Sequence, residues 1–263
     1  LFRSYNINNA AGLISSQTKI EIESQQQLDN QRGSIVADQG LTIHSQGLNS
    51  DQGQITSAQG DVILDAGHAV LSNQAGMIVS GKDLTLIADQ LDSYKGQING
   101  QNNLEIITTK DINNESGVIA ANQQLKLTSQ GLNNNAGQIG SIHAGVLIDS
   151  GAGVVSNNTG LIQAQNDIQL KAKQLSSQSG TISSENGIEL NIDQAIDNTA
   201  GQIVANHPIQ INSEGLNNNQ GQIASIKDLL SINAGTGALY NQSGSLQAAK
   251  DIQITADQLN SQS

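Results

Sequence analysis

Residues Ile196–Ala205 read IDNTAGQIVA, and this ten-residue unit decides the fold. It opens with an aliphatic residue, followed by glycine five positions later, isoleucine seven positions later and a small residue nine positions later. The last three are two residues apart, which is the spacing of a strand with one buried face. The unit recurs along the chain, and its opening residues are Ile7, Leu28, Leu48, Leu71, Leu91, Ile112, Leu132, Val155, Leu175, Ile196, Leu216 and Leu239, with Leu259 opening a further copy.

Every complete copy of the unit keeps its glycine and the aliphatic residue after it. The glycines are Gly12, Gly33, Gly53, Gly76, Gly96, Gly117, Gly137, Gly160, Gly180, Gly201, Gly221 and Gly244. The residues two positions later are Ile14, Ile35, Ile55, Ile78, Ile98, Ile119, Ile139, Ile162, Ile182, Ile203, Ile223 and Leu246. A second alternating aliphatic pair follows, as in Leu41 and Ile43. Each copy is therefore predicted to form two or three short strands separated by polar turns.

The spacing of the copies contains a longer period. The series of intervals between the openers from Leu28 to Ile112 repeats between Ile112 and Ile196. Four copies therefore make one 84-residue super-repeat, which also appears in the sequence itself. Ser45–Asn49 reads SQGLN, Ser129–Asn133 repeats it, and Ser213–Asn217 reads SEGLN. Duplication of a four-coil unit explains this order.

A single copy cannot bury its own aliphatic residues and needs equivalent neighbours above and below it. We therefore predict an all-β, right-handed parallel β-helix, or β-solenoid, of about 12 coils with 20–23 residues each. Residues 1–6 are expected to be a partial coil, and residues 7–263 a single repeat domain. In this arrangement Ile119 should be buried between Ile98 and Ile139, whereas Gln138 should point outward.

A polar column runs beside the aliphatic ones, two residues after each opener. Its side chains can bond along the solenoid axis, as stacked amides do, and satisfy turn backbone groups. Three members also lie in Asn-x-Ser/Thr glycan-acceptor motifs: Asn114, Asn157 and Asn241. The ladder interpretation explains them without glycosylation. The column consists of Asn9, Asn30, Ser50, Asn73, Ser93, Asn114, Asn134, Asn157, Ser177, Asn198, Asn218 and Asn241.

Composition excludes several classes of protein. The net charge is −12, with 11 Lys and Arg residues, so no basic stripe exists for nucleic acid or an anionic membrane surface. The sequence contains no run of about 18 apolar residues that could insert into a bilayer. Cysteine is absent, and the four aromatic residues are too few for a globular core of this length. No signal peptide is predicted, and because the chain starts and stops within the repeat we expect it to be a fragment of a longer protein.

Few residues are candidates for catalysis or metal binding. Of the four histidines only His143 and His207 share a column, three coils or about 14 Å apart, so no metal site is predicted. Asp61 and Asp83 occupy equivalent turns of neighbouring coils, beside Lys82, and are the best candidates for a carboxylate pair. Because the super-repeat does not conserve the pair, solvated turn aspartates are the favoured interpretation. We therefore predict no catalytic, cofactor or metal site, and a polysaccharide-processing β-helix enzyme is a remote alternative.

Two outward positions carry aliphatic residues where neighbouring coils are polar. Ile63 and Leu147 are one super-repeat apart and lie in coils that contain extra residues. In one account the extra residues fold over Ile63 and Leu147 and cover them, which is the interpretation we favour. In the other, both side chains are apolar contact points for a partner.

The unit L-x-N-x-x-G-x-I-x-A over residues 7–263 resembles the repeats of filamentous haemagglutinin and of contact-dependent growth inhibition effectors. The resemblance implies a protein secreted to the cell surface of a Gram-negative bacterium through an outer-membrane two-partner-secretion transporter. It implies that this chain is a structural fibre or stalk segment that projects binding or toxin modules. The alternative is that the segment itself binds a cell-surface receptor or a host cell.

Overall fold

The computed structural model describes residues 1–262, and its only regular secondary structure there is the β-strand. Ser263, the last residue of the predicted repeat domain, lies outside the described residues. The strands form three parallel sheets of 13, 13 and 12 strands, here called sheets A, B and C. Each complete coil contributes one strand to each sheet, in the order B, C, A along the chain. The predicted parallel β-helix of about 12 coils is therefore confirmed.

The strands stack in chain order within each sheet. Sheet A contains Phe2–Ser4, Lys19–Ser24, Gly40–His44, Val62–Asp65, Leu84–Ala88, Leu104–Thr108, Leu125–Thr128, Val146–Asp149, Ile168–Ala172, Ile188–Ile192, Ile209–Asn212, Leu230–Asn233 and Ile252–Thr255. Sheet B contains Ile7–Asn8, Leu28–Asp29, Leu48–Asn49, Val70–Ser72, Gln90–Asp92, Asp111–Asn113, Gly131–Asn133, Val154–Ser156, Gln174–Ser176, Ile196–Asp197, Leu216–Asn217, Ala238–Tyr240 and Gln258–Asn260. Sheet C contains Leu13–Ser16, Ser34–Ala37, Gln54–Ser57, Met77–Ser80, Gln97–Gly100, Val118–Ala121, Gln138–Ser141, Leu161–Ala164, Thr181–Ser184, Gln202–Ala205, Gln222–Ser225 and Ser245–Ala248.

Among residues 1–262 no helix is long and apolar enough to cross a membrane.

The register places like residues on like residues. Ile119 pairs with Ile98 on one side and with Ile139 on the other. All three side chains are buried, whereas Gln138 is exposed. The inward and outward assignment made from the two-residue period is therefore confirmed. The core consists of such columns of Ile, Leu and Val, with Ala at several positions.

A tight turn joins sheet B to sheet C in every complete coil. In the coil that starts at Leu132, the backbone N–H of Gly137 donates to the Asn134 carbonyl at 3.0 Å and closes a four-residue turn. Ala136, the residue before the glycine, has φ 53°. The corresponding residues of all twelve turns lie at φ 51–58°, although none is glycine. Non-glycine residues seldom adopt this left-handed conformation, so the stacked turn must hold them in it.

The glycine of this turn is needed because of close approach to the neighbouring coil. A Cβ atom on Gly137 would overlap the carbonyl oxygen of Asn114 in the preceding coil and lie 2.6 Å from Asn134 Oδ1. The coils that follow Gly12 show the same arrangement. Glycine therefore allows the backbones of adjacent coils to touch at this corner.

The predicted polar column forms a buried ladder beside this turn. Asn114 and Asn134 are both fully buried. Asn114 Nδ2 donates to Asn134 Oδ1 at 2.7 Å and to the carbonyl of Gln138 at 3.1 Å. Stacked amides thus bond coil to coil and also satisfy backbone acceptors.

The extra residues of the long coils lie at the corner between sheets A and B. Gly67, Gly151 and Gly235, which follow one another at super-repeat spacing, adopt φ 60°, 48° and 57° there. The N–H of Gly151 donates to Asp149 Oδ1 at 2.9 Å, which closes the corner locally. The super-repeat therefore marks one particular corner of the solenoid.

The prediction that these extra residues cover Ile63 and Leu147 was wrong. Ile63 is 39% exposed and Leu147 is partly exposed. Both side chains point outward from the middle of sheet A strands, whereas the extra residues lie at the following corner. The corner does not reach back over the strand that precedes it.

Replacing Ile119 with Asp should lower the free energy of unfolding by more than about 4 kcal/mol, because an unpaired carboxylate would enter a dry column. Gln138→Lys is the matched control on the outward face and should stay within about 0.5 kcal/mol of the wild type. The midpoint of denaturant unfolding, followed by circular dichroism, measures both. Equal damage from the two substitutions would contradict the assigned faces.

Two glycines of the same coil allow a sharp test of contact between coils. Gly137→Ala should destabilise the chain by at least about 1–3 kcal/mol, because the new methyl group would overlap the backbone of the neighbouring coil, which cannot move aside. At Gly140 a Cβ atom would meet only the Gln163 carbonyl oxygen at 3.5 Å. Gly140→Ala should therefore be neutral or stabilising by up to about 1 kcal/mol. Thermal unfolding of the two variants distinguishes them, and a destabilised Gly140→Ala would refute the argument.

Candidate functional surfaces

The histidines lie on the surface and do not converge. His68, His143 and His207 are exposed residues of bends, whereas His44 is exposed at the end of a sheet A strand. His44 Nδ1 is 3.6 Å from Asp65 Oδ2, and His68 Nδ1 is 3.9 Å from an Asp89 carboxylate oxygen. Within residues 1–262 no group of three or more His, Cys, Asp or Glu side chains is placed to hold a metal ion.

The carboxylates of Asp61 and Asp83 brace turns. Asp61 Oδ1 accepts the backbone N–H of Asp83 at 3.2 Å, and Asp83 Oδ1 accepts the backbone N–H of Asn103 at 3.0 Å. Both aspartates are exposed. Each carboxylate thus fixes the next coil, which agrees with the interpretation of solvated turn aspartates.

A shallow groove of about 680 Å³ lies near the amino-terminal coils. Along it, Arg3, Glu23, His44 and Asp65 form one column with basic and acidic side chains in alternation. Arg3 donates to Glu23 at 2.6 and 2.9 Å, and these hydrogen bonds lower the pKa of the Glu23 carboxyl group. Exposed ion pairs of this kind contribute little to stability.

Other ion pairs also connect consecutive coils. Lys126 Nζ lies 2.8 Å from Glu105, and Lys110 Nζ lies 3.2 Å from Asp89. The Thr109 hydroxyl and the Lys110 ammonium group both donate to the Asp89 carboxylate. These hydrogen bonds, the one from Thr109 most strongly, lower the pKa of the Asp89 carboxyl group. These charged side chains are thus engaged with the neighbouring coil.

The three glycan-acceptor motifs are part of the buried ladder. Asn114 and Asn157 are fully buried, and Asn241 is 6% exposed. Asn114 Nδ2 is engaged with Asn134, and Asn157 Nδ2 donates to Ser177 Oγ at 3.2 Å. A folded coil cannot present these amides to a glycosylating enzyme.

Two pairs of aliphatic side chains are exposed at positions for which the sequence patterns predicted no exposure. Ile142 is 55% exposed and Ile226 is 52% exposed, in the turn between sheets C and A. Val70 and Val154, the first residues of two sheet B strands, are each 44% exposed. The two members of each pair are one super-repeat apart, so this offset was the signal that could have revealed them.

The comparisons with known proteins agree with this architecture. The haemagglutinin repeat family model matches the chain seven times, over residues 3–32, 26–71, 64–116, 107–151, 140–200, 185–235 and 226–263. Curated proteins and solved structures give no significant match. The seven matches overlap and together extend from residue 3 to residue 263, along the same coils that stack in the structure. The chain therefore belongs to the haemagglutinin repeat family, whose members are secreted or cell-surface bacterial proteins.

Proposed function

We propose that the chain is a rigid stalk segment of a secreted bacterial exoprotein of the two-partner-secretion adhesin type. The observation that carries this proposal is the continuity of the three sheets, which run from the first coil to the last without a break. Haemagglutinin repeats arranged in a β-solenoid are suited to a structural role. A stalk needs length and stiffness, and stacked coils supply both.

The stacking explains how length can be gained without a larger core. Each coil contacts only its two neighbours, so every added coil extends the rod by about 4.8 Å at constant cross-section. Stability is then a sum of similar coil and interface contributions. Such a rod can hold an adhesive or toxin module at a fixed distance from the cell surface.

Export of an unfolded chain through an outer-membrane transporter is also part of the proposal. The pairing partners of every strand lie only one coil away along the chain, as between Ile98 and Ile119. Coils can therefore form one after another as the chain emerges. The absence of cysteine means that folding requires no disulfide formation.

Adhesins and effectors of contact-dependent growth inhibition differ in the module that the stalk projects. We place this chain in the stalk of either type, because the same repeat unit serves both. The toxin or binding activity would then reside in other parts of the protein.

Direct receptor binding by a lateral face is the second candidate. Ile142 and Ile226, exposed at a repeated offset, favour it. However, these side chains are single aliphatics four coils or about 19 Å apart, rather than one contiguous apolar patch. The stalk function therefore has the stronger support.

The purified chain should show no saturable adsorption to epithelial or bacterial cells and should not compete with the full-length protein for attachment. Fluorescently labelled chain, measured by flow cytometry over increasing concentrations, tests this expectation. The matched variant carries Ile142→Ser and Ile226→Ser, which remove the exposed aliphatics without touching the core. Saturable adsorption by the wild type that this variant loses would contradict a purely structural role and establish the lateral face as a binding surface.

A further inference from the structure

The amide ladder changes its chemistry at three of the twelve complete coils, where serine replaces asparagine. Ser50, Ser93 and Ser177 are fully buried. At steps between two asparagines, Nδ2 donates to Oδ1 of the next coil at 2.7 Å. At the steps that lead into these three serines, Nδ2 donates to the hydroxyl oxygen at 3.1–3.2 Å. At the last step of the ladder, Asn241 Nδ2 donates to Ser261 Oγ at 3.4 Å. The serine oxygen thus takes over the acceptor role of Oδ1.

The steps that lead out of a serine are different. The next residues in the column are Asn73, Asn114 and Asn198, which are fully buried. The Oδ1 atom of each of them accepts no hydrogen bond from the described part of the chain. Serine has no amide nitrogen to donate, which explains why the ladder lacks a donor at these three steps. Buried acceptors in proteins nearly always have a hydrogen-bond partner. We therefore expect each of these oxygens to accept a hydrogen bond from a donor that is not part of the chain.

The surroundings of an intact rung show what that partner must provide. Asn134 Nδ2 lies 2.7 Å from Asn157 Oδ1, 3.2 Å from the Leu161 carbonyl and 3.3 Å from the Gly137 carbonyl. The amide nitrogen therefore sits among three acceptors. The column register assigns the equivalent acceptors at the Ser93 step to Asn114 Oδ1, Val118 O and Gly96 O.

We propose that each of the three serine steps binds one buried water molecule between the serine hydroxyl and the Oδ1 atom of the asparagine in the next coil. The Ser93 hydroxyl donates to the water oxygen, and the water donates one hydrogen to Asn114 Oδ1 and the other to a neighbouring carbonyl. Serine and water together then reproduce the donors and acceptors of an asparagine side chain. Buried waters commonly bridge polar groups in this way.

The chemistry of the column favours water over a cation. Only asparagine and serine occupy it, so a buried cation would have no charged partner and would be costly. A water molecule, in contrast, needs both the acceptors and the hydroxyl donor that the site offers. The Asn–Asn steps, where an amide nitrogen already donates to Oδ1, should bind none.

A crystal structure of the chain at a resolution that reveals ordered water tests the proposal. One density peak should lie within about 3 Å of both Ser93 Oγ and Asn114 Oδ1, with equivalent peaks at the other two serine steps. No peak should lie between Asn114 and Asn134. In the Ser93→Asn variant, the peak at that step should disappear and a hydrogen bond from the new side-chain amide nitrogen to Asn114 Oδ1 should replace it, while the other two peaks remain.

Stability measurements provide a second readout. Ser93→Ala removes the hydroxyl that accepts a hydrogen bond from Asn73 Nδ2. The thermal midpoint of this variant should therefore fall below that of the wild type. Ser93→Asn should match or exceed the wild-type midpoint. The proposal is overturned if the wild-type steps show no peak, if Ser93 Oγ bonds Asn114 directly, or if the peak depends on the sodium or ammonium salt in the crystal.

Discussion

A coil of about 20 residues leaves the edges of its strands unpaired and its aliphatic side chains in water unless an equivalent coil lies on each side. The sheets and the core follow from this requirement. Parallel pairing satisfies the strand edges, and columns such as Ile98, Ile119 and Ile139 bury the aliphatic residues. Because coils must match their neighbours, the same unit recurs along the whole chain.

Close stacking constrains the backbone most strongly at the turn between sheets B and C. Twelve non-glycine residues adopt a left-handed conformation there, and each costs on the order of 1–3 kcal/mol by itself. The hydrogen bond that closes the turn and the buried amide ladder help to keep this conformation. The left-handed residue also donates its own N–H to the next coil, as from Ala136 to the Asn158 carbonyl at 2.9 Å. The glycine that follows gives the two backbones room to meet. Most of the polar groups at this corner thus hold coils together, which is consistent with a structural role for the chain.

The sequence predicted the stacking well because the two-residue period along each strand and the recurrence of the unit along the chain determine which residues share a column. The buried Ile119, the outward Gln138 and the asparagine ladder could all be predicted in this way. Features that depend on the path of a corner could not. The covering of Ile63 was wrongly predicted because the period does not show where extra residues turn, and the exposure of Ile142 was missed. The unpaired Asn114 Oδ1 required side-chain geometry, since serine and asparagine are interchangeable in the pattern.

A rod built in this way should grow in one direction only. Small-angle X-ray scattering of the chain and of a variant lacking residues 133–216 tests this most directly, because that deletion removes one super-repeat and joins Leu132 to Asn217 in register. The rod of roughly 58 Å should shorten by about 19 Å, four coils at strand spacing, while its cross-sectional radius of gyration stays the same. A variant that shrinks in all dimensions, or a wild type that scatters as two compact globules, would contradict the account.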